Sequence, residues 1–385
     1  MSAGPDWAQK EVALAALLTA GGRTELLAAL AEYSTAAVRE ARALGAMRPR
    51  SAICRQALDW LLRPVFICGH HRSGTTLLQN LLDGHPELLS LPSEGTYFSS
   101  FAYVGERASD DRLDRFAVEW ISRLVDPNFE PHFRLGRSRA DRAPAVDFAR
   151  LLFGWHEALR GSVPRQLAPI LALAAAYWAT TAPTSAPRAW VEKTPLNERH
   201  VRRFAYFDRG CFVHLVRDPR AVLASLTALY GKADLDRFHA ADGAFSIGRS
   251  LQLAERNGRR LAGRYLVVRY EDLVGDSAAQ IERVRQLLRI VPHPALSTPT
   301  ANGRPVAANS AFAGGSSNVD RARQPPVLPA EQLALLAIHA AAAARPFGYE
   351  LPSVGWPIRW IGRARYWPRR LLLGARSARR AVALR

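Results

Sequence analysis

The run Pro64-Val65-Phe66-Ile67-Cys68-Gly69-His70-His71-Arg72-Ser73-Gly74-Thr75-Thr76 decides how this 385-residue chain folds. Its opening six residues are apolar and bounded by Pro and Gly, the pattern of a short buried strand. Leu77, Leu78, Leu81 and Leu82 follow at helical spacing and stop at Gly84. The reading is strand, turn, helix. Such a turn exposes the unpaired N–H groups and the positive dipole end of the helix, which together make an anion cradle. Gly74 permits close backbone approach, and Ser73, Thr75 and Thr76 add hydroxyls. Against the pattern G-x-x-x-x-G-K-[ST], Gly69 and Gly74 are correctly separated, but Thr75 stands where the lysine belongs. Arg72 supplies a cation on the opposite side of the loop. A nucleoside-triphosphate kinase would lose a central electrostatic element here; a loop for a smaller anionic group would not.

Outward from this unit the same alternation returns. Leu88 to Leu91 is a short strand-like stretch, and Ala189–Lys193, Cys211–Val216 and Tyr265–Tyr270 read as further strands. Pro219 suits a first helical turn, so a helix is expected through Tyr230, and another from Asp276 to Arg289. Strands alternating with helices predict an α/β fold, a P-loop-like parallel sheet flanked by helices. Residues 7–46 read as two Ala/Leu-rich helices broken at Gly21-Gly22, followed by a linker from Arg48-Pro49-Arg50. The expected organisation is a helical N-terminal region (1–60), an α/β domain (61–350) with a helical insert (95–188), and a tail (351–385). The tail carries nine Arg and no acidic residue, with Trp356, Trp360, Tyr366 and Trp367 interleaved.

Composition narrows the class. At 48% hydrophobic and 22% charged residues, global disorder is excluded. The net charge of +18 implies anionic partners. Cys54, Cys68 and Cys211 are too few and too scattered for a disulfide framework or a cysteine zinc site, so they are expected as buried free thiols. The N-terminus shows no signal-peptide pattern, and the longest apolar stretch, Leu167 to Ala179, is interrupted by Pro169 and shorter than a bilayer span. A soluble cytoplasmic protein is expected.

A second anion site follows the strand at 211–216. In Val216-Arg217-Asp218-Pro219-Arg220 the first Arg ends the strand, and Ser225 lies eight residues on, about two helical turns. An Arg and a hydroxyl together grip a phosphate monoester. Lys193 is the clearest compositional pointer: of 52 basic residues only Lys10, Lys193 and Lys232 are lysines. A chain this biased toward Arg that places Lys at a strand end needs a compact ammonium there.

With these segments in view, the chain resembles the sulfotransferases that use 3′-phosphoadenosine 5′-phosphosulfate (PAPS), particularly the bacterial branch akin to tyrosylprotein sulfotransferases. Arg72-Ser73-Gly74-Thr75-Thr76, Glu192-Lys193-Thr194-Pro195, Val216 through Ser225, and Tyr270-Glu271-Asp272-Leu273 carry the resemblance over roughly residues 62–350. It implies that Arg72, Ser73, Gly74, Thr75 and Thr76 hold the 5′-phosphosulfate, that Arg217 and Ser225 hold the 3′-phosphate, and that Tyr270 contacts the nucleotide. The Gly/Ser-rich loop from Asn309 to Asn318 would close over it, with Arg321 as a phosphate contact beyond. Glu94, in a Glu-Gly-Thr context, would be the catalytic base, and Lys193 would stabilise the leaving or bridging oxygen alongside Arg72. No metal is required by this scheme. The acceptor would be a hydroxyl of a small molecule, lipid or sugar.

Rivals remain at this point. His70 and His71 are alternative bases, and Glu87 a rival acid in a surface-turn context. For the whole chain the alternatives are a P-loop kinase and a non-catalytic protein that binds membrane or nucleic acid through the basic aromatic tail. A peripheral membrane contact suits that tail better than nucleic acid. The insert's aromatics (Trp120, Phe129, Phe133, Trp155, Tyr177, Trp178) suggest an apolar acceptor pocket or simply core.

Overall fold

The computed structural model describes residues 7–19, 22–97, 110–127, 145–181, 185–232, 240–306 and 326–352, together with Trp356, Pro357, Trp360, Ile361 and Ala364. Five parallel strands form its centre: β1 (Pro64–Gly69), β2 (Leu88–Ser90), β3 (Ala189–Lys193), β4 (Cys211–Val216) and β5 (Tyr265–Arg269). Their order is β2-β3-β1-β4-β5. From the central strand β1 the chain runs first to the β2 edge and returns to β3. It then passes over β1 to β4 and β5. In open parallel sheets the crevice at the carboxyl ends of strands where the winding reverses is the ligand site. Here that crevice opens beside the end of β1.

All six residues of β1 and all five of β3 are buried, as expected for strands covered on both faces. Side-chain alternation sorts the two layers. Val65, Ile67, Val191, Val213, Leu215 and Val268 pack with α4 (Thr75–Leu82) and α11 (Ser277–Leu288). Phe66, Cys68, Trp190, Phe212 and Tyr265 face the other way, into a larger core built with the helices N-terminal to the sheet and those of the insert. These are α1 (Trp7–Thr19), α2 (Arg23–Leu44), α3 (Ser51–Leu61), α5 (Asp110–Val125), α6 (Ala145–Leu159) and α7 (Ala168–Thr180). Each fully buried aromatic contributes roughly 2–3 kcal/mol of transfer free energy, and Trp190 also donates its indole N–H to the Leu61 carbonyl at 2.8 Å. The α/β class, the parallel sheet and the helical insert are as expected.

Local differences have identifiable causes. The stretch read as a linker after Arg50 becomes α3, because Cys54, Ala57, Trp60 and Leu61 present one apolar stripe to the core. Trp120, Trp155 and Tyr177 are buried in that same core, so these insert aromatics pack rather than line a pocket. Phe129 and Phe133 lie outside the described residues. Cys54, Cys68 and Cys211 are free thiols, the first two buried and Cys211 half-buried. Among the described residues no helix is long and apolar enough to cross a membrane.

Candidate functional site

β1 delivers the loop directly. Gly69 has φ 135°, and a Cβ there would stand 2.3 Å from the Leu215 carbonyl oxygen of β4, so only glycine lets the strand end press against its neighbour. Its N–H donates to Glu198 Oε2 at 3.1 Å. Glu198 is almost wholly buried, and Ser250 donates to its other oxygen at 2.6 Å. A buried carboxylate thus anchors the first residue of the loop. Arg72 adopts a left-handed conformation (φ 70°) and Gly74 another (φ 91°), after which α4 begins at Thr75. At Gly74 a Cβ would meet the Tyr270 ring at 2.3 Å. The first N–H groups of α4 have no acceptor within the helix, as an anion cradle requires.

The second motif meets the first. Arg217, just past β4, stacks its guanidinium 4.2 Å over the Tyr270 ring and donates to the Arg72 carbonyl at 2.9 Å. Arg72 in turn donates through Nε to Ser225 Oγ at 2.8 Å, reaching the helix that follows β4, α8 (Pro219–Lys232). Arg72, Arg217, Ser225 and Tyr270 therefore converge at one place. The buried Arg217 Nε has no hydrogen-bond partner, a donor left over for an anion. The neighbouring Arg220 is spent locally, since both Nε and Nη2 bind the Asp218 carboxylate at 3.0 and 2.7 Å. Asp218 N donates to Glu271 Oε1 at 2.9 Å, and Tyr349 donates to Glu271 Oε2 at 2.7 Å. Tyr270 opens the helix α10 (Tyr270–Gly275) instead of ending β5, because Glu271 and Asp272 suit a first helical turn.

On the other side of β1, Ile67 pairs in register with Lys193 at the end of β3. The Lys193 ammonium, 7% exposed, binds Glu94 Oε1 at 2.7 Å, with the Glu94 side chain 36% exposed. The two residues expected to share the chemistry are thus in contact, the lysine recessed and the carboxylate toward solvent. The Glu94 loop is held from three directions. Arg123 of α5 donates to the Glu94 carbonyl at 2.6 Å, Gly95 N donates to Glu192 Oε1 at 2.8 Å, and Thr96 N donates to Thr194 Oγ1 at 2.9 Å. Thr194 and Asn197 also donate to the Glu192 carboxylate.

His70 and Glu87 are occupied elsewhere. His70 Nδ1 donates to the His71 carbonyl at 3.0 Å, while Nε2 accepts from Ser246 Oγ at 2.9 Å. Arg199 donates to that same serine oxygen at 2.6 Å, which fixes the direction of the chain. Burial lowers the His70 pKa to about 4, so it stays neutral and fully bonded. Glu87 accepts from Val291 N at 2.8 Å and holds the turn into β2, as a surface-turn residue would. His71 is exposed at the crest of the loop, with Glu94 and Lys193 among its electrostatic neighbours.

The profile of the Sulfotransferase family matches residues 64–292, more than half the chain and the whole span of these motifs. The chain belongs to the sulfotransferase family. Among solved structures, this sulfotransferase is similar to the sulfotransferase domain of the olefin synthase of Synechococcus PCC 7002, at 22% identity over 75% of this chain and 96% of that one, with a TM-score of 0.40. It is also similar to the sulfotransferase STF9 of Mycobacterium avium, at 16% identity over 78% and 81% of the two chains, TM-score 0.40. No curated protein matches it.

Within the sulfotransferase, Arg72 to Thr76, Lys193, Arg217, Ser225, Tyr270 and Glu94 all lie in the described residues; Arg321 and the 309–318 loop lie outside them. Three residues acquire a positioning role only in the structure: Glu192, whose motif the sequence shows without its role, and Glu198 and Arg123, which no sequence motif marks. Burial raises the Glu192 pKa to about 7, against the hydrogen bonds from Thr194 and Gly95 that lower it. Its folded state therefore binds a proton that the unfolded chain releases between pH 4.5 and 7, and this group's contribution to stability falls as pH rises through that window. His70 has the opposite sign: its contribution falls as pH drops from 6.5 toward 4. Between 4.5 and 6.5 the two slopes oppose each other. Glu192→Gln removes one of them. The variant's unfolding free energy, measured in urea at several pH values, is expected to gain about 1.4 kcal/mol per pH unit relative to wild type across that range. Parallel curves for the two proteins would show that Glu192 ionises normally.

Proposed function

We propose that the protein transfers a sulfuryl group from PAPS to an acceptor hydroxyl. The observation that supports this reading is the link between the two anion motifs: Arg72 donates to Ser225 and accepts from Arg217, so the motifs adjoin, as binding of one bisphosphorylated nucleotide by both would require. The backbone of the Arg72–Thr76 loop would hold the 5′ end. Arg217, with its unpartnered Nε, and Ser225 would hold the 3′-phosphate. Bound there, the donor supplies an electrophilic sulfur and a phosphate leaving group.

The chain's own residues account for the rest. Glu94, at the solvent side of its pair with Lys193, accepts the proton of the incoming hydroxyl. Lys193, freed from that carboxylate, presents a compact ammonium to the leaving oxygen, and Arg72 adds a second cation. The buried Glu192 and Arg123 keep the Glu94 loop in place, which sets the approach of acceptor to sulfur.

Binding distinguishes this reading from a kinase, where Thr75 lacks the ammonium that triphosphate binding needs. Adenosine 3′,5′-bisphosphate is expected to bind in titration calorimetry, and ATP with Mg²⁺ far more weakly. Arg217→Ala is expected to weaken the bisphosphate by about tenfold to a hundredfold, the loss of charge-assisted bonds to one phosphate. Adenosine 5′-phosphate, lacking the 3′ group, should bind both proteins alike. Preference for ATP, or equal losses for both ligands, would overturn the assignment.

A further inference from the structure

β4 and β5 end their backbone pairing at Val216 and Arg269, which are partners in register. Side chains continue the match over the next two residues of each segment. Arg217 stacks over the Tyr270 ring at 4.2 Å, and Asp218 N donates to Glu271 Oε1 at 2.9 Å. The buried Glu271 carboxylate therefore ties the residue after Arg217 to the residue after Tyr270. Its other oxygen accepts from Tyr349 at 2.7 Å, a partner 78 residues along the chain.

The backbone explains why Tyr349 reaches this place. Gly348 closes the 3-10 turn Arg345–Phe347 in a left-handed conformation (φ 73°). Its N–H donates to the Arg345 carbonyl at 2.9 Å, and Tyr349 N donates to the Ala344 carbonyl at 3.3 Å. After this reversal the buried Tyr349 ring packs in one cluster with Val216, Val222 and Leu223. Those three residues flank Arg217 and precede Ser225 on the same strand-to-helix unit. The Arg269 guanidinium lies 4.9 Å from the ring centre. Burial and the Glu271 charge raise the Tyr349 pKa, so the phenol stays a donor.

We infer that Tyr349, acting through Glu271 and Asp218, is a positioning residue for the 3′-phosphate contact of Arg217. The inference rests on the proposed function. A guanidinium fork binds a phosphate well only when its plane is held at the right angle. The Tyr270 ring sets that plane, and Glu271 fixes where the ring-bearing segment sits against β4. Tyr349→Phe keeps the packing of the ring but leaves Glu271 Oε2 buried without a donor. The carboxylate then shifts to find one, and the Asp218 bond that holds the Arg217 segment loosens. The 5′ side has its own anchors, Glu198 on Gly69 and the β3 end beneath Lys193, and these are untouched.

Titration calorimetry of the full chain with adenosine 3′,5′-bisphosphate and adenosine 5′-phosphate tests the inference. Tyr349→Phe is expected to weaken the bisphosphate by about threefold to tenfold, the effect of one buried hydrogen bond, and to leave the monophosphate unchanged. Glu271→Gln offers its amide oxygen to Asp218 N and an amide N–H to the phenol oxygen, so the bisphosphate should bind within about twofold of wild type. Glu271→Ala removes both links and should cost about tenfold or more, again for the bisphosphate alone. Should Tyr349→Phe or Glu271→Ala fail to fold, the other is compared with Glu271→Gln. A merely structural role would weaken both nucleotides alike, and that result would overturn the inference. Undiminished bisphosphate affinity in Tyr349→Phe and Glu271→Ala, beside a wild type that prefers the bisphosphate, would overturn it while leaving the proposed function standing. A wild type that binds the two nucleotides equally would overturn both.

Discussion

Lys193→Ala is expected to lower the turnover number by about 10²- to 10³-fold, the usual effect of deleting one preorganised donor from developing charge, with little change in the KM for donor. The ammonium is 7% exposed and held on Glu94, so its position is set before substrate arrives. Such preorganisation is what makes a donor effective in a dry site. The fold is expected to survive, because the Glu94 side chain left behind is 36% exposed and can rehydrate. Lys193→Arg is not expected to rescue: the end of β3 is buried, and a planar fork does not replace a point charge there. Single-turnover measurements with saturating donor check this. A loss confined to KM would place the lysine in binding and remove it from the chemical step.

Glu94→Gln is the second large effect, about 10²- to 10⁴-fold in turnover, the range associated with loss of a general base. The amide oxygen still accepts from Lys193, so geometry and stability are largely kept; because the site is a third exposed, a stability loss of about 1 kcal/mol is the ceiling expected. Donor binding, read by calorimetry with adenosine 3′,5′-bisphosphate, is expected to be unaltered. Turnover like wild type would transfer the base role to His71, the exposed imidazole nearby.

What could be read in the chain and what could not divides along sequence distance. The β1 turn and α4 were legible because strand, loop and helix run consecutively, and every signal there is local. Arg217 and Ser225 can be grouped for the same reason, since both lie on one strand-to-helix unit; what joins them in the structure is Arg72, which accepts from Arg217 and donates to Ser225. Glu192, Glu198 and Arg123 were not. Glu192 meets Gly95 across 97 residues, Glu198 meets Gly69 across 129, and Arg123 reaches Glu94 from the insert. In sequence such charged residues resemble a solvated surface; only the sheet register puts the two carboxylates under the loops they anchor. The α3 helix was hidden by Pro49 and by the polar Arg55, Gln56 and Asp59, which lie on the side of the helix away from the core. Tyr270 was placed one element early because an apolar strand can pass into a helix without a Gly or Pro to mark the boundary.

The geometry that matters most to the proposed function is the meeting of the Arg72 loop with Arg217 and Ser225, since the proposed donor rests on it. A crystal structure with adenosine 3′,5′-bisphosphate tests it directly. The account predicts a single nucleotide with its 3′-phosphate on Arg217 and Ser225, its 5′-phosphate on the N–H groups of Gly74 to Thr76, and Lys193 Nζ beside the 5′-phosphate oxygens. A nucleotide held at one end only, or lying away from the end of β1, would contradict it.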